Sequence, residues 1–187
     1  PIEINDPRFE EQGFQILKVK PTFEYKRDIN LWVTNNLLQS VKEVLAKVEN
    51  KTCFLFCNST DTIYTLMKQL NILDKSAVFC SDKSVDKLKG LKFKSAYSTW
   101  GENNMKHYNW LTSRFYNAVD IEINECPNVL LLTDCYMAGY TIFDPNTDII
   151  QCAGRFRNGI TSLYLISNVN NNFPVQNRDY LNGFIQC

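Results

Sequence analysis

The sequence predicts an α/β domain built on a mostly parallel sheet with helices on both faces, and three observations carry that expectation. Short apolar runs of strand length recur at 53–57, 76–80, 108–112, 128–133 and 161–166. Helical repeats or crossover-length segments separate them. The central runs are apolar at consecutive rather than alternate positions, the pattern of strands covered on both sides.

Taken in order, residues 14–20 mix apolar residues with partial alternation and stop at Pro21, which reads as an early strand. Leu37, Leu38, Val41, Val44, Leu45 and Val48 fall at three-and-four spacing and predict a helix over 35–48, capped by Thr34 or Asn35. The run 53–57 is a strand. Asn58, Ser59, Thr60 and Asp61 then form a polar turn into a helix over 63–70. The strand 76–80 leads through Ser81, Asp82, Lys83 and Ser84 into a short helix ending near Leu88. A third strand, 108–112, enters an irregular segment reaching Ile121, and a fourth covers 128–133. Residues 147–157 read as a helix starting near Thr147 or Asp148. The last strand, 161–166, precedes an Asn-rich turn at 168–172. No repeat or linker divides the chain. We expect one domain over 31–187, with 1–30 a linker or edge segment from a preceding domain.

Composition bounds the function. A chain of 187 residues, 44% hydrophobic and 21% charged, has the make-up of one globular domain with a sizeable core. Its 20 basic and 20 acidic residues cancel, so a contact with nucleic acid would need a local patch. No apolar run approaches the roughly 18–20 residues of a membrane span, and the polar, acidic opening is not a signal peptide. The seven cysteines are odd in number, contain no C-x-x-C pair and share the chain with a single histidine, His107. They read as reduced, mostly buried thiols of a cytoplasmic protein, and no metal site is expected.

The segment Gln151-x-x-Gly154-Arg155-x-Arg157 has the strongest chemical content. Arginine grips phosphate through a planar, two-pronged donor set and recurs as a stabiliser of charge in phosphoryl transfer. On a regular helix the two arginines would point about 200° apart. Gly154 costs a helix about 1 kcal/mol relative to Ala, which suggests close backbone approach there, and Gly159 suggests the helix ends at that point. The plain alternative is a surface arginine paired with a carboxylate.

This segment resembles motif VI of superfamily 2 helicases and translocases, Q-x-x-G-R-x-x-R, in their second RecA-like domain. Arg155 falls on the first arginine finger. Arg157 comes one residue early and is similar to the shorter spacing of viral origin-binding helicases. In register upstream, Thr112, Asp120 and Ile121 match motif V, with Ser113 and Ala118 in place of its usual Asp and Gly. A second candidate, Asp134 to Gly139, precedes Gln151 by only 12 residues at its nearer end, too few for the intervening strand. That stretch reads instead as a loop on the ligand-facing edge. The strand 53–57 with its polar turn resembles motif IV.

The resemblance implies roles. Gln151, Arg155 and Arg157 would be catalytic. Asp120, Gly154 and Ala118 would lie at the nucleotide. Asn58, Ser59, Thr60, Ser81, Lys83, Thr112 and Ser113 would contact a single strand of DNA or RNA. The turn residues carry an equally simple reading as helix caps. Trp100, Tyr108, Trp110, Phe115 and Tyr116 are candidates for stacking on bases, against the commoner reading as core.

No glycine is followed by lysine and no Asp-Glu dipeptide occurs, so a phosphate-cradling loop and a metal-holding acidic pair are both missing. ATP and Mg2+ would be held mainly by the preceding RecA-like domain, and the isolated chain should be inactive. A non-catalytic RecA-like module and a flavodoxin-like binding domain are the competing readings.

Overall fold

The computed structural model describes residues 8, 11–15, 27–48, 50–117, 119–145, 147–169 and 177. The expected strand at 14–20 and the Asn-rich turn fall largely outside the described residues.

Seven strands form one sheet: β1 Asn30–Thr34, β2 Cys53–Phe56, β3 Ser76–Phe79, β4 Ala96–Tyr97, β5 Tyr108–Leu111, β6 Asn128–Asp134 and β7 Ser162–Asn168. Their order is β1-β7-β6-β2-β5-β3-β4, and every pairing is parallel. The chain leaves central β2 toward β3 and β4, returns to β5, then crosses to β6 and β7. This is an α/β architecture consistent with a RecA-like domain. Its order reverses around β2, so the loops after β5, β2 and β6 share one carboxyl edge, where such sheets place ligands.

The helices packed on the sheet among the described residues are α1 Leu37–Lys47, α2 Thr60–Gln69, α3 Asp82–Gly90 and α4 Asp148–Gly154. Strand alternation sorts their packing. Cys53, Leu55 and Cys57 point toward α1, α2 and α3 and meet Val41, Val44, Ile63, Met67 and Leu88. Phe54 and Phe56 point the other way, onto Ile149 and Cys152 of α4 and onto Phe156. Each fully buried large side chain of this kind contributes about 1.5–3 kcal/mol. The two faces differ in order: the first carries three helices, the second one short helix plus the irregular segment after β5.

Two strands escape the sequence signals. β1 is an edge strand marked by only a three-residue apolar run, Leu31 to Val33, whose Leu31 and Val33 are exposed; its Trp32 packs under the Lys47 ammonium, 4.4 Å from the ring centre. It lies at the start of the expected domain. β4 has two residues, too few for any pattern. Residues 113–115 form a 3-10 turn.

Cys53, Cys57, Cys80 and Cys152 are buried, and desolvation pushes the Cys53 and Cys57 thiols up to about 12 and Cys80 to about 11. No helix among the described residues is long and apolar enough to cross a membrane.

Candidate functional site

The expected helix over 147–157 stops at Gly154, and this correction brings the arginines together. Ile121 captures the backbone groups that a longer helix would need. Its amide donates to the Arg155 carbonyl at 2.8 Å, and its carbonyl accepts from the Arg157 amide at 3.2 Å. A single parallel bridge therefore joins Ile121 to Phe156. Phe156 turns inward, its ring 4.9 Å from Phe54 and 6.4 Å from Phe56, both edge-on. Arg155 itself keeps helical dihedrals, φ −67° and ψ −25°, and the helix does not continue past it. Arg155 and Arg157 both reach one carboxylate, where a regular helix would have set them about 200° apart.

Both converge on Asp120. Arg157 Nη2 lies 2.7 Å from each Asp120 carboxylate oxygen. Arg155 Nη1 stands 3.9 Å from Asp120 Oδ1. The hydrogen bond from Arg157, with the charge of both arginines behind it, holds the Asp120 carboxyl below the usual carboxylate range. Burial opposes this shift and is outweighed. Arg157 is correspondingly held above its ordinary value.

Arg155 is the more enclosed, its side chain only 18% exposed. Nε donates to the Gln151 carbonyl at 3.0 Å and Nη2 to Gln151 Oε1 at 2.7 Å. Nη1 donates to the carbonyls of Asn117 at 3.3 Å and Val119 at 3.5 Å. The guanidinium thus ties α4 to the chain leaving β5. Asn158 Nδ2 extends the same seam through a 2.8 Å bond to the Ile123 carbonyl. Gln151, Arg155, Arg157 and Asp120 form one cluster on the α4 face.

Gly154 sits beside it but touches nothing. A Cβ built there would meet no atom within 4 Å, so close backbone approach inside this domain is not its reason. Gly159, with φ +90°, is the position that needs glycine's left-handed freedom, five residues beyond the helix end that it was expected to mark. Ala118 lies outside the described residues.

A second group lies along the carboxyl edge. Asn58, two residues after the end of β2, reaches both neighbouring loops. Its Nδ2 donates to the Tyr140 carbonyl at 3.3 Å, and its Oδ1 accepts from the Ser113 amide at 3.3 Å. Both ends of the amide are engaged within the domain. Ser59 is the buried N-cap of α2, where its Oγ accepts from the Thr62 amide at 3.3 Å. Thr60 is half-buried in the first turn of that helix. Thr112 is buried, with its amide on the Phe79 carbonyl at 3.1 Å. Ser113 and Lys83 are exposed. Ser81 stands before α3 with Oγ 3.1 Å from Ser84 Oγ. One further tie was not expected: Arg114 Nη1 reaches Asp82 Oδ2 at 3.3 Å, linking the loops after β5 and β3.

The stretch after β6 belongs to the same edge. Asp134 Oδ1 accepts from the Met137 amide at 3.1 Å and from Asn168 Nδ2 at 2.9 Å. Thr141 Oγ1 accepts from the Asp134 amide and donates to the Ala138 carbonyl, each at 2.7 Å. This network leaves Tyr136, Met137, Tyr140 and Ile142 exposed.

The aromatic residues considered for base stacking are mainly core. Trp110 is fully buried, and Tyr108, Phe115 and Tyr116 are nearly so. Trp100 is half-buried against Phe79, 4.8 Å between ring centres. Tyr108 and Trp110 are buried on a strand covered on both sides, whereas Phe115 and Tyr116 lie beyond β5 and pack on Phe79 and Phe56. Tyr116 Oη has no hydrogen-bond partner, the only buried side-chain nitrogen or oxygen so placed among the described residues.

Searches against protein-family models, curated proteins and solved structures find no match to this chain.

Proposed function

We propose that this chain is the second RecA-like domain of an ATP-dependent superfamily 2 helicase or translocase. One observation carries the reading. Gln151, Arg155, Arg157 and Asp120, chosen by motif register, meet in a single cluster although Asp120 and Arg157 are 37 residues apart in sequence. Two guanidinium groups and an amide on one surface suit a polyphosphate approaching from a facing domain.

ATP bound with Mg2+ supplies the phosphoryl transfer whose free energy would drive movement along a strand. Arg157, half-exposed, is the group of this chain best able to turn toward the phosphates. Arg155 would position it by holding the Asn117 and Val119 carbonyls. Mg2+ would be held mainly by the preceding domain, since the sequence has neither a glycine followed by lysine nor an Asp-Glu pair. Ser113, Lys83 and the first turn of α2 at Ser59 and Thr60 would meet the phosphates of one DNA or RNA strand. Asn58 would set the spacing of those loops.

A second reading, a non-catalytic RecA-like module that binds nucleic acid or protein, is favoured by the internal pairing of both arginines. Steady-state ATP turnover with and without single-stranded DNA or RNA separates the two. The motor reading predicts no turnover by this chain alone and strand-stimulated turnover by the longer polypeptide. Strand-stimulated hydrolysis by the chain alone sinks the two-domain assignment, and an inert longer polypeptide leaves the module reading in its place.

A further inference from the structure

A hollow of about 240 Å³ opens at the opposite, amino edge of the sheet, where β3, β4 and β5 begin. Tyr64, Leu91 and Phe93 contribute apolar wall, and Lys92, Lys94 and Lys106 contribute charge. Asp74 is the acidic residue of the lining, leaving a surplus of positive charge.

Three features set it apart from ordinary surface. Lys92 has φ +65°, the left-handed region that disfavours any residue with a Cβ. It ends α3 in a Schellman turn, with the Phe93 amide on the Leu88 carbonyl at 3.0 Å and the Lys92 amide on the Lys89 carbonyl at 2.8 Å. Helix α2 ends in the same turn with Asn71, which tolerates that conformation, at φ +57°. Lysine at this position is costly where glycine would be free. Lys106 is held from below. The fully buried Asn109 accepts from the Lys106 amide at 2.9 Å and donates to its carbonyl at 2.6 Å. Lys106 Nζ then donates to the Asp74 carbonyl at 2.8 Å. Lys92 and Lys94 form no ion pair or hydrogen bond through their ammonium groups among the described residues.

The surroundings indicate the ligand. Residues 68–106 contain eight lysines against four acidic residues, within a chain whose charges cancel. Lys83, Lys87 and Lys89 lie on α3, which runs from the carboxyl edge to this hollow, although Lys87 is paired with Asp61 at 2.7 Å. The volume is below the roughly 300–1,000 Å³ of small-molecule sites. That favours one phosphate of a passing chain over a whole enclosed nucleotide. Lysine ammonium groups bind phosphate as point charges without fixed geometry.

We propose that Lys92, Lys94 and Lys106 form a phosphate site for the backbone of a nucleic-acid strand, reached along α3 from the carboxyl edge. The site does not depend on ATP chemistry, so loss of the motor reading leaves it standing.

Fluorescence anisotropy of a labelled single-stranded oligonucleotide of about 20 bases, titrated with this chain over a range of salt, tests it. In the double variant Lys92→Gly/Lys94→Ala we expect about tenfold weaker binding and a salt slope smaller by about 1.4, the value for two single-strand phosphate contacts. Its thermal midpoint should equal or exceed that of the parent, because glycine relieves the left-handed strain. The charge-matched variant Lys42→Ala/Lys51→Ala should bind as the parent does. Unchanged binding by the first variant overturns the site, as does an equal loss in the second, which would reveal a bulk charge effect. Competition by inorganic phosphate or a mononucleotide at micromolar concentration would overturn the backbone assignment in favour of a small-ligand pocket. Binding of a poly-glutamate peptide with the same variant dependence, and of no oligonucleotide, would assign the surface to acidic protein instead.

Discussion

The arginines near the α4 face and the carboxyl edge differ in their pairing from Lys92 and Lys94 at the amino edge. The arginines of the segments after β5 and α4 are paired: Arg114 with Asp82, Arg155 with Gln151 and two carbonyls, and Arg157 with Asp120. At the amino edge, Lys92 and Lys94 have no ammonium partners among the described residues, and Lys106 beside them donates to the Asp74 carbonyl. Unpaired lysines need only shed water and counterions to meet an anion. Paired arginines must first leave a partner. On the proposed reading, Lys92 and Lys94 would meet an anion directly, whereas the arginine cluster would exchange an internal carboxylate for an external ligand. Such exchange would suit a site that closes and reopens, with Asp120 the group against which the ligand competes.

The two arginines of the cluster also differ from each other, and variants there should show the largest effect. Replacing Arg155 with Ala leaves the Asn117 and Val119 carbonyls without their charged donor. At about 1.5–3 kcal/mol for a hydrogen bond to a charged group, with no full additivity, we expect about 2–3 kcal/mol less stability in urea unfolding. A loss under about 0.5 kcal/mol would mean that Arg155 is loosely held, as free to move as Arg157, and the distinction between them would fail. Asn58→Ala should cost about 1 kcal/mol, since two long, partly exposed hydrogen bonds vanish while the helix cap at Ser59 remains. Amide exchange should then rise at Ser113; protection equal to the parent's would remove Asn58 as the tie between loops. Tyr116→Phe should be neutral or stabilising by up to about 1 kcal/mol, because a buried hydroxyl without a partner is removed. Clear destabilisation would point to a partner for that hydroxyl.

The smallest stability effect should come from Asp120→Asn, and it should depend on pH. The folded-state pKa of Asp120 is lowered, first by its hydrogen bond from Arg157. A lowered carboxylate contributes stability that is present above its unfolded pKa, about 3.9, and is lost as pH falls through the folded value. Parent and variant should therefore differ near neutrality and converge in strong acid. A difference that persists unchanged at the acid end would detach the effect from this pair.

Much of this arrangement could be read from the chain. The consecutive apolar positions of 53–57 and 128–133 already imply strands covered on both faces, and the parallel sheet follows from the strand–crossover pattern. Gln151, Arg155 and Asp120 could be chosen by register alone. What could not be read was the geometry joining them. Periodicity carried the last helix on to Arg157, because nothing local records that Ile121, more than 30 residues earlier, takes the backbone groups of Arg155 and Arg157. The same limit hid the double use of Asn58, whose partners are 55 and 82 residues away. It also hid Lys92, since a left-handed lysine has no signature in sequence. Edge strand β1 was missed for another reason: its apolar run, Leu31 to Val33, is only three residues long and its Leu31 and Val33 stay exposed at the sheet edge.

The central claim is that Arg157 exchanges Asp120 for a nucleotide phosphate. Strand-stimulated ATP turnover of the longer polypeptide carrying Arg157→Ala tests this most directly, because a half-exposed side chain can be removed without opening the core. The account predicts a fall in kcat of about a thousandfold or more with an unchanged thermal midpoint. Turnover within twofold of the parent would contradict it and leave the Asp120–Arg157 pair as a surface salt bridge.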